Sequence, residues 1–529
     1  MPVGNFSGLT LYVLPPILHQ GQRDRLMTKI CINQRDTIEK NEQVQLMGAI
    51  YRQAEQVIAW LGKEDYECTF ALESIQGMYD AQVFDHKGIR SAIAAVESSK
   101  REDDEQQKSF VRINSALDVL LDRFDFDAVV KAVSALISRS WWRRLWVIQE
   151  LVLSRQAYLR CGPLAITWDS FEYFLDVCEL FMLCNPTHPT FYPAYIIGYK
   201  SFILSKCWRQ VQNGEQSTMF QLFEMMITIA IRETSDPRDR VYALLGLAKD
   251  SEQLRIRPDY SLSCAQVYMR TAEALIRKHG LIILSYCSFK RSRKLRSEGL
   301  PSWAPDLSGS VSDPLRGNAT TSIYRASGSS EATLSFQSHG SLRLLKVHSI
   351  VVGKVAKKSH ERPSPEASFD FSKAKILRKW LQKLPWYSPG EEVDDAIWRA
   401  PIANRINKRG QETSREAQSQ DKAGFEALMA RDTSLLTSTN DVVNDYVYSA
   451  WVRTVGRCLF TSSSGHIGLG SSEILPDDYI VILLGADIPF VVRNAGNDRC
   501  KIIGEVYLHA KMQGEATQRL RHAGPLYIE

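Results

Sequence analysis

Residues 29–62 constrain the fold more than any other stretch, because they read as a strand, a helix and a strand in succession. The apolar run KICI at 29–32 predicts a short strand. Asp36, with Glu39 three residues later, is typical of a helix start, and the apolar residues that follow have helical spacing. The run VIAWLG at 57–62 predicts a second, buried strand. Two strands joined by a crossover helix imply a parallel sheet, so this part of the chain is predicted to be an α/β domain.

The stretch SRSWWRRLWVIQEL at 138–151 predicts one strongly apolar helix. In such a helix Trp142, Trp146 and Glu150 are four residues apart and lie on one face. Glu150 is then either a buried structural acid or a functional one. A buried carboxylate without a partner costs several kcal/mol, so we expect it to pair with Arg143 or Arg144, or with a loop amide.

The pattern along the chain predicts four parts. Residues 1–168 form the α/β domain, and residues 169–330 are mostly helical. Residues 331–450 are rich in polar linkers, with short strands and helices. Residues 451–529 alternate short apolar runs with glycine turns, which predicts a small antiparallel β unit.

Composition excludes several classes of function. The formal charge of +5 is small for 529 residues, so no nucleic-acid partner is expected. The ten cysteines include no CxxC pair, which supports neither a zinc site nor a redox dithiol and favours a reducing intracellular compartment. We predict no metal site, no signal peptide and no membrane span.

Several segments, taken in order, resemble the fungal heterokaryon incompatibility (HET) domain proteins. Each alone could arise by chance, but their order and spacing make the match specific. The segments that carry the resemblance are ICINQRDTIEKNEQVQLMGAIYRQAEQVIAWLG (30–62), WWRRLWVIQEL (141–151), SDPRDRVYALLGLA (235–248), LPSWAPDLS (300–308), GHIGLGSSEILPDDYIVILLG (465–485) and GEVYLHAKMQGEA (504–516).

The resemblance implies a fold and a role. The HET domain is similar to the TIR fold, a flavodoxin-like parallel sheet wrapped by helices, and such proteins act in fungal non-self recognition and programmed cell death. The family's opening Tyr-x-Ala-Leu-Ser-Tyr-x-Trp-Gly strand has no counterpart here, so the first strand is expected to be missing and the domain incomplete. A cytoplasmic signalling protein is implied, with other incompatibility proteins or a second copy of itself as partner.

The resemblance also suggests a candidate site. Glu150 resembles the catalytic glutamate of the TIR pattern Ser-x-Trp-Cys-x-x-Glu, since Trp146 precedes it by the same four residues. In TIR enzymes that glutamate supports cleavage of NAD, so NAD is a possible substrate, and no cofactor is otherwise implied. One carboxylate suffices in principle, because it can stabilise an oxocarbenium-like sugar while the cationic nicotinamide leaves.

The candidate ligand-binding residues are Asn33, Gln34, Asp36, Trp146 and Arg143. The first three follow a predicted strand, where open α/β sheets bind ligands. For each residue a structural role is the favoured alternative: helix capping for Asp36, core packing for the tryptophans, and a paired buried acid for Glu150. Three functions stay open: a non-catalytic signalling protein, a TIR-like NAD glycohydrolase, and an inert truncated relative.

Overall fold

The structure is a computed structural model that describes most of the chain. The residues it describes are 10–13, 33, 35–98, 104–185, 188–228, 233–287, 298–308, 314–317, 322–340, 342–362, 374–384, 395–407, 414–430 and 441–529. The chain divides into two compact units, Met1–Ser263 and Cys264–Glu529. The finer division into four parts stays a prediction.

The N-terminal unit combines short strands with many helices. Its strands are β1 (Thr10–Val13), β2 (Gln56–Gly62), β3 (Ala157–Cys161) and β4 (Leu164–Thr167). Its helices are α1 (Thr37–Gln53), α2 (Tyr66–Ala81), α3 (His86–Ser98), α4 (Asp104–Arg123), α5 (Phe126–Leu136), α6 (Ser140–Arg143), α7 (Val147–Val152), α8 (Trp168–Cys184), α9 (Phe191–Gln212), α10 (Met219–Thr228), α11 (Asp239–Leu245) and α12 (Ser251–Leu254).

The four strands form one sheet in the order β1-β2-β3-β4. β1 and β3 both run parallel to β2, and β4 returns antiparallel to β3 through a turn at Gly162. The mixed α/β prediction is therefore confirmed, and the predicted strand at 57–62 is β2. The strand predicted at 29–32 lies outside the described residues. Although the first strand was expected to be missing, one parallel strand, β1, does precede α1.

The prediction of a single helix over 138–151 is wrong. The chain forms α6, then an extended residue at Arg144 (φ −71°, ψ 138°), and then α7. The break has a tertiary cause, because the backbone here pairs with Glu233: Leu145 N–H donates to Glu233 O at 3.0 Å, and Glu233 N–H donates to Arg143 O at 2.6 Å. Trp142 and Glu150 thus belong to different helices.

The tryptophans of α6 are core residues, as favoured from the sequence. Trp141 and Trp142 are 1% and 5% exposed, and their rings meet edge to face with centroids 5.0 Å apart. Trp142 also contacts the rings of Trp168 and Phe171 on α8. This aromatic cluster anchors α6 beneath α8.

Helices α1 and α11 approach so closely that only glycine fits between them. A Cβ on Gly48 of α1 would lie 2.8 Å from the Cα of Gly246, which directly follows α11. A Cβ on Gly246 would in turn lie 2.9 Å from the amide of Gln149 in α7. Three helices therefore meet at this point, and α7 is the one that carries Glu150.

The C-terminal unit begins with helices and continues into a sheet. Its helices are α13 (Cys264–His279), α14 (Ala374–Leu381), α15 (Asp395–Arg399), α16 (Lys422–Met429) and α17 (Asp441–Thr454). Its strands are β5 (Leu334–His339), β6 (Leu342–Lys358), β7 (Arg405–Asn407), β8 (Ser414–Glu416), β9 (Arg457–Ser462), β10 (Ile467–Ser471), β11 (Tyr479–Leu483), β12 (Phe490–Gly496), β13 (Arg499–Leu508) and β14 (Gly524–Ile528).

Six of these strands close into a barrel. The pairs β6–β11, β11–β12, β12–β13, β13–β10, β10–β9 and β9–β6 are all antiparallel and return to the starting strand. The predicted antiparallel unit at 451–529 is confirmed in its strand character. It also includes β6, which comes about a hundred residues earlier and lies outside the range predicted for that unit.

The barrel interior is apolar and crowded. Buried side chains from the strands fill it, among them Ile350, Val352, Cys458, Phe460, Ile480, Ile482, Val491, Ile503 and Val506. A Cβ on Gly468 of β10 would lie 2.5 Å from the Phe460 ring, so glycine makes room for that ring. The barrel is thus a packed core.

Among the residues that the structure describes, no helix is long and apolar enough to cross a bilayer.

We expect Gly48→Ala to destabilise the N-terminal unit by about 1–3 kcal/mol, the usual cost of overpacking a tight core. The added methyl would collide with the backbone of Gly246, which cannot rotate away. Urea unfolding followed by circular dichroism measures the change.

Gly198→Ala is the matched control, because Gly198 also lies inside a helix but an added Cβ there meets nothing within 4 Å. That variant is expected to be neutral or up to about 1 kcal/mol more stable, since alanine favours helix over glycine. Equal destabilisation by both variants would contradict the close packing of α1 and α11.

Candidate functional site

Glu150 lies in the first turn of α7 and is buried, with 2% of its surface exposed. Its Oε1 pairs with Arg144 Nη2 at 3.3 Å. Its Oε2 is buried and has no hydrogen-bond partner. Burial raises the pKa of Glu150, and the Arg144 guanidinium opposes this only in part. The predicted pairing of Glu150 with a neighbouring arginine is therefore realised through Arg144, on one carboxylate oxygen.

Arg143 pairs with Glu233 and not with Glu150. Its side chain is 53% exposed and pairs with Glu233 at 3.1 Å. The break between α6 and α7 separates it from Glu150, since the extended Arg144 turns the chain at that point. A ligand-binding role for Arg143 stays a prediction.

The residues predicted at the start of α1 make a helix cap. Asp36 Oδ1 accepts from the amides of Ile38 and Glu39 at 2.9 and 3.1 Å, as predicted for a capping residue. Asn33 is exposed, and its backbone N–H donates to Glu39 Oε1 at 3.2 Å. Gln34 lies outside the described residues. These contacts account for Asp36, and a ligand-binding role for Asn33, Gln34 and Asp36 stays a prediction.

Trp146 is bonded within the fold. Its indole N–H donates to Asp239 Oδ2 at 3.0 Å, while the hydroxyl of Tyr260 donates to Asp239 Oδ1 at 2.6 Å. Burial raises the pKa of Asp239, and the two hydrogen bonds counter it. Burial and the Asp239 carboxylate raise the pKa of Tyr260, which keeps the phenol protonated as a donor.

This carboxylate is connected to α1. Lys40 of α1 lies over the ring of Tyr260 at 3.5 Å and 3.7 Å from Asp236. Asn41, the next residue, accepts a hydrogen bond from the Tyr260 amide at 2.8 Å. This role of Asp239 was not predicted from the sequence. Asp239 is flanked by Arg238 and Arg240, so no local pattern marked it as buried.

A second buried charge cluster was also missed from the sequence. Glu172 and Asp176 of α8 are 2% and 0% exposed, and both pair with Arg209 of α9. Arg90 of α3 pairs with Asp176 at 3.1 Å, and the indole of Trp168 donates to Glu172 at 3.1 Å. Two acids four residues apart in an apolar helix were the signal. Because each acid has cationic partners, this cluster joins three helices.

A third cluster lies in the C-terminal unit around residues 314–317. Leu315 O accepts from Arg453 Nη1 at 3.1 Å, and Leu315 N–H donates to the buried carboxylate of Glu505. Arg405 Nη1 donates to Arg316 O. Burial raises the pKa of Glu505, and Arg457 opposes the shift. These long side chains fix a loop segment onto α17, β7 and β13.

Glu150 differs in one respect from three other buried acids of the N-terminal unit. Asp239, Glu172 and Asp176 have partners on both carboxylate oxygens, whereas Glu150 has one oxygen without any. A buried carboxylate in this state can accept a proton or stabilise a nearby cation, but here side chains cover it. Among the described residues, no group of three His, Cys, Asp or Glu side chains could hold a metal ion.

Comparison with known proteins bears on both units. Residues 27–150 match the family model of the heterokaryon incompatibility protein (HET). Residues 418–526 match that of the Het-6 beta-barrel domain. The chain is similar to heterokaryon incompatibility protein 6, OR allele, of Neurospora crassa, with 25% identity over 92% of this chain and 80% of that protein. No solved structure matches the chain.

We expect the stability difference between the wild type and Glu150→Gln to depend on pH. Because burial raises the pKa of Glu150, the folded state holds this proton more tightly than the unfolded chain does. The stability from this group is present below the unfolded-state pKa and is lost as the pH rises through the folded-state pKa, at about 1.4 kcal/mol per pKa unit. Glu150→Gln should therefore gain stability relative to the wild type as the pH rises above the unfolded-state pKa of about 4.3 and up through the raised folded-state pKa.

Urea unfolding at several pH values measures this difference. Glu215→Gln is the control, because Glu215 is exposed in the same unit and the substitution makes the same chemical change. A stability difference for Glu150→Gln that stays constant with pH would contradict the effect of burial on this carboxyl group.

Proposed function

We propose that the chain is a heterokaryon incompatibility (HET) domain protein with a C-terminal Het-6 β-barrel domain, and that it acts in fungal non-self recognition and the cell death that follows. The observation that carries the proposal is the likeness to heterokaryon incompatibility protein 6, which spans both domains and most of the chain. The partner is another incompatibility protein or a second copy of this chain. The proposed location is the cytoplasm, because cell fusion mixes the cytoplasms of two strains.

We also propose that the N-terminal sheet is TIR-like. Two successive parallel pairings, β1–β2 and β2–β3, support this, as does the long helical connection between β2 and β3. A crossover connection of this kind is typical of flavodoxin-like sheets. The antiparallel β4 adds an edge strand to that arrangement.

The mechanism we favour is association without turnover. Glu150 is buried beneath other side chains and paired with Arg144, and Trp146 is bonded to Asp239. Both residues therefore have structural roles that account for their positions. A signalling protein of this kind requires a surface for its partner and no open catalytic cleft.

NAD hydrolysis is the second candidate function, and one observation favours it. Glu150 Oε2 is buried and has no hydrogen-bond partner. A carboxylate oxygen in this state could stabilise the positive charge of a developing oxocarbenium ion. Catalysis at this position would require the cover over α7 to open. The Arg144 side chain, which is about one quarter exposed, lies on the path to the carboxylate.

Expression of the full chain in a filamentous fungus distinguishes these functions. We expect induction to cause cell death, measured by uptake of a vital dye, with Glu150→Gln as lethal as the wild type and cellular NAD unchanged before death. Immunoblotting confirms equal amounts of protein, and Glu215→Gln is the matched control.

Two other outcomes would overturn this proposal. If Glu150→Gln abolished both death and NAD loss at normal protein levels, the chain would be a TIR-like NAD hydrolase. If the wild type caused no death, alone or together with an incompatible partner strain, the chain would be an inert relative.

A further inference from the structure

Cys68 and Cys161 are joined by a disulfide that no sequence motif predicted. They are 93 residues apart, and their Cα atoms are 6.8 Å apart. Cys68 lies in the first turn of α2, and Cys161 is the last residue of β3. Both side chains are 1% exposed. The bond therefore joins a helix start to the carboxyl end of a parallel strand.

One guanidinium organises the surroundings of both sulfurs. Arg139 Nη1 lies 3.1 Å from Cys161 Sγ and donates to Lys63 O at 3.0 Å. Arg139 Nη2 pairs with Asp65. Asp65 is the N-cap of α2 and accepts from the Cys68 amide at 2.8 Å. A short chain of contacts thus links Arg139 to the backbone of Cys68 as well as to the sulfur of Cys161.

These surroundings favour ionised sulfur in the reduced state. A guanidinium next to a thiol stabilises its thiolate, and a position in the first turn of a helix does the same. Since the thiolate is the reactive form, Cys68 and Cys161 are distinguished by both proximity and charge environment.

We propose that Cys68 and Cys161 are a reversible oxidation site that reacts with a small disulfide oxidant such as oxidised glutathione. The Cys161 thiolate attacks one sulfur of the oxidant, which releases one glutathione thiolate and leaves a mixed disulfide on Cys161. The Cys68 thiolate then attacks the Cys161 sulfur and releases the second glutathione. The protein loses two protons and two electrons, and the oxidant becomes two molecules of reduced glutathione.

The compartment expected from the sequence makes this bond conditional. In a reducing compartment thiol pools keep most cysteines reduced, and disulfides that do form there are usually transient and redox-sensing. The dithiol is then the resting state, and the disulfide forms when the glutathione pool becomes oxidised.

Only a short exposed segment separates the oxidant in solution from the Cys161 sulfur. Residues 63–65 connect β2 to α2 and are exposed. Cys161 Sγ lies 3.2 Å from Lys63 O, so this connection directly covers the sulfur. Displacing these three exposed residues gives access without unpairing a strand, at the loss of the Asp65 cap of α2 and of their contacts with Arg139.

The Cys68–Cys161 disulfide also affects how easily this part of the chain unfolds. It closes a loop of 93 residues that contains α3 to α7, and therefore Glu150. A cross-link across so long a loop restricts the unfolded chain strongly. Oxidation is thus expected to make the HET domain harder to open.

Thiol mapping of the purified full chain tests the proposal. The reduced protein is incubated in glutathione buffers of increasing oxidation, blocked with N-ethylmaleimide, and digested without reduction for mass spectrometry. We expect a cross-linked peptide pair containing Cys68 and Cys161, and alkylation of the other eight of the ten cysteines. No such cross-link at any buffer ratio, or earlier oxidation of another cysteine, would overturn the proposal.

Substitutions separate the chemistry from simple proximity. Arg139→Gln is expected to slow cross-link formation roughly 3- to 10-fold, because it removes the charge beside Cys161. Arg139→Lys keeps the charge and should retain most of the rate. Arg112→Gln, at an exposed position on α4, makes the same charge change elsewhere and should have no effect. Equal rates for all four proteins would refute the role of Arg139.

Thermal unfolding provides an independent readout. Oxidation should raise the melting temperature of the wild type by about 10 °C, from the entropy of closing so long a loop. Cys68→Ser should show no change between oxidising and reducing buffers. A wild type that forms the cross-link without any rise in melting temperature would refute the mechanical consequence.

Discussion

The buried carboxyl group of Asp239 is the contact on which the arrangement of the N-terminal unit depends. It receives the indole N–H of Trp146 and the hydroxyl of Tyr260, and thereby joins the start of α7 to α11 and to the segment that bonds α1. A carboxyl group with 7% exposure is tolerated because these donors replace water. The glycine contact between α1 and α11 lies on the same helices. Polar and steric constraints therefore fix the position of α7 together.

That position decides how Glu150 is interpreted. The same helix that carries a candidate catalytic acid also carries Gln149, whose amide packs on Gly246 and donates to Ala243 O at 2.8 Å. α7 is thus built into the core along its length, and all six of its residues are buried. A catalytic carboxylate must meet its substrate, whereas a packing helix must exclude it. The observed burial is what a scaffold requires, and it is the physical basis for preferring association to turnover.

The C-terminal unit depends on a different constraint, which is the closure of its β-barrel. Its barrel closes because β13 pairs on one side with β12 and on the other with β10, which leaves the ring of six strands without a free edge. Closure satisfies backbone groups that an open sheet would expose to other chains. The long β6 is one strand of the barrel, although a stretch of the chain with its own helices separates it in sequence from the other five barrel strands. The polar cluster around Leu315 then holds a preceding loop against this barrel.

Local patterns in the sequence identified elements whose cause is local. The helix start at Asp36, the strand at 57–62 and the antiparallel character of the C-terminal strands all follow from capping, periodicity and turn residues, and all are present. For the candidate site, the sequence favoured a buried, paired Glu150 but left its partner open among Arg143, Arg144 and a loop amide, and the structure selects Arg144.

The sequence by itself thus determined the helix that starts after Asp36, the buried strand at 57–62 and the strand character of the C-terminal region, but not the buried acids Glu172, Asp176 and Asp239. Only the tertiary structure decided that the helix at 138–151 breaks at Arg144, that Trp146 bonds Asp239, that β6 joins the barrel, and that Cys68 meets Cys161. In each case the partner lies far along the chain: Glu233, Asp239 and Cys161 are about 90 residues from the residues they contact. Helical periodicity reports only on neighbours within a few residues, so it predicted a continuous helix and carried no information about the backbone pairing with Glu233 that interrupts it.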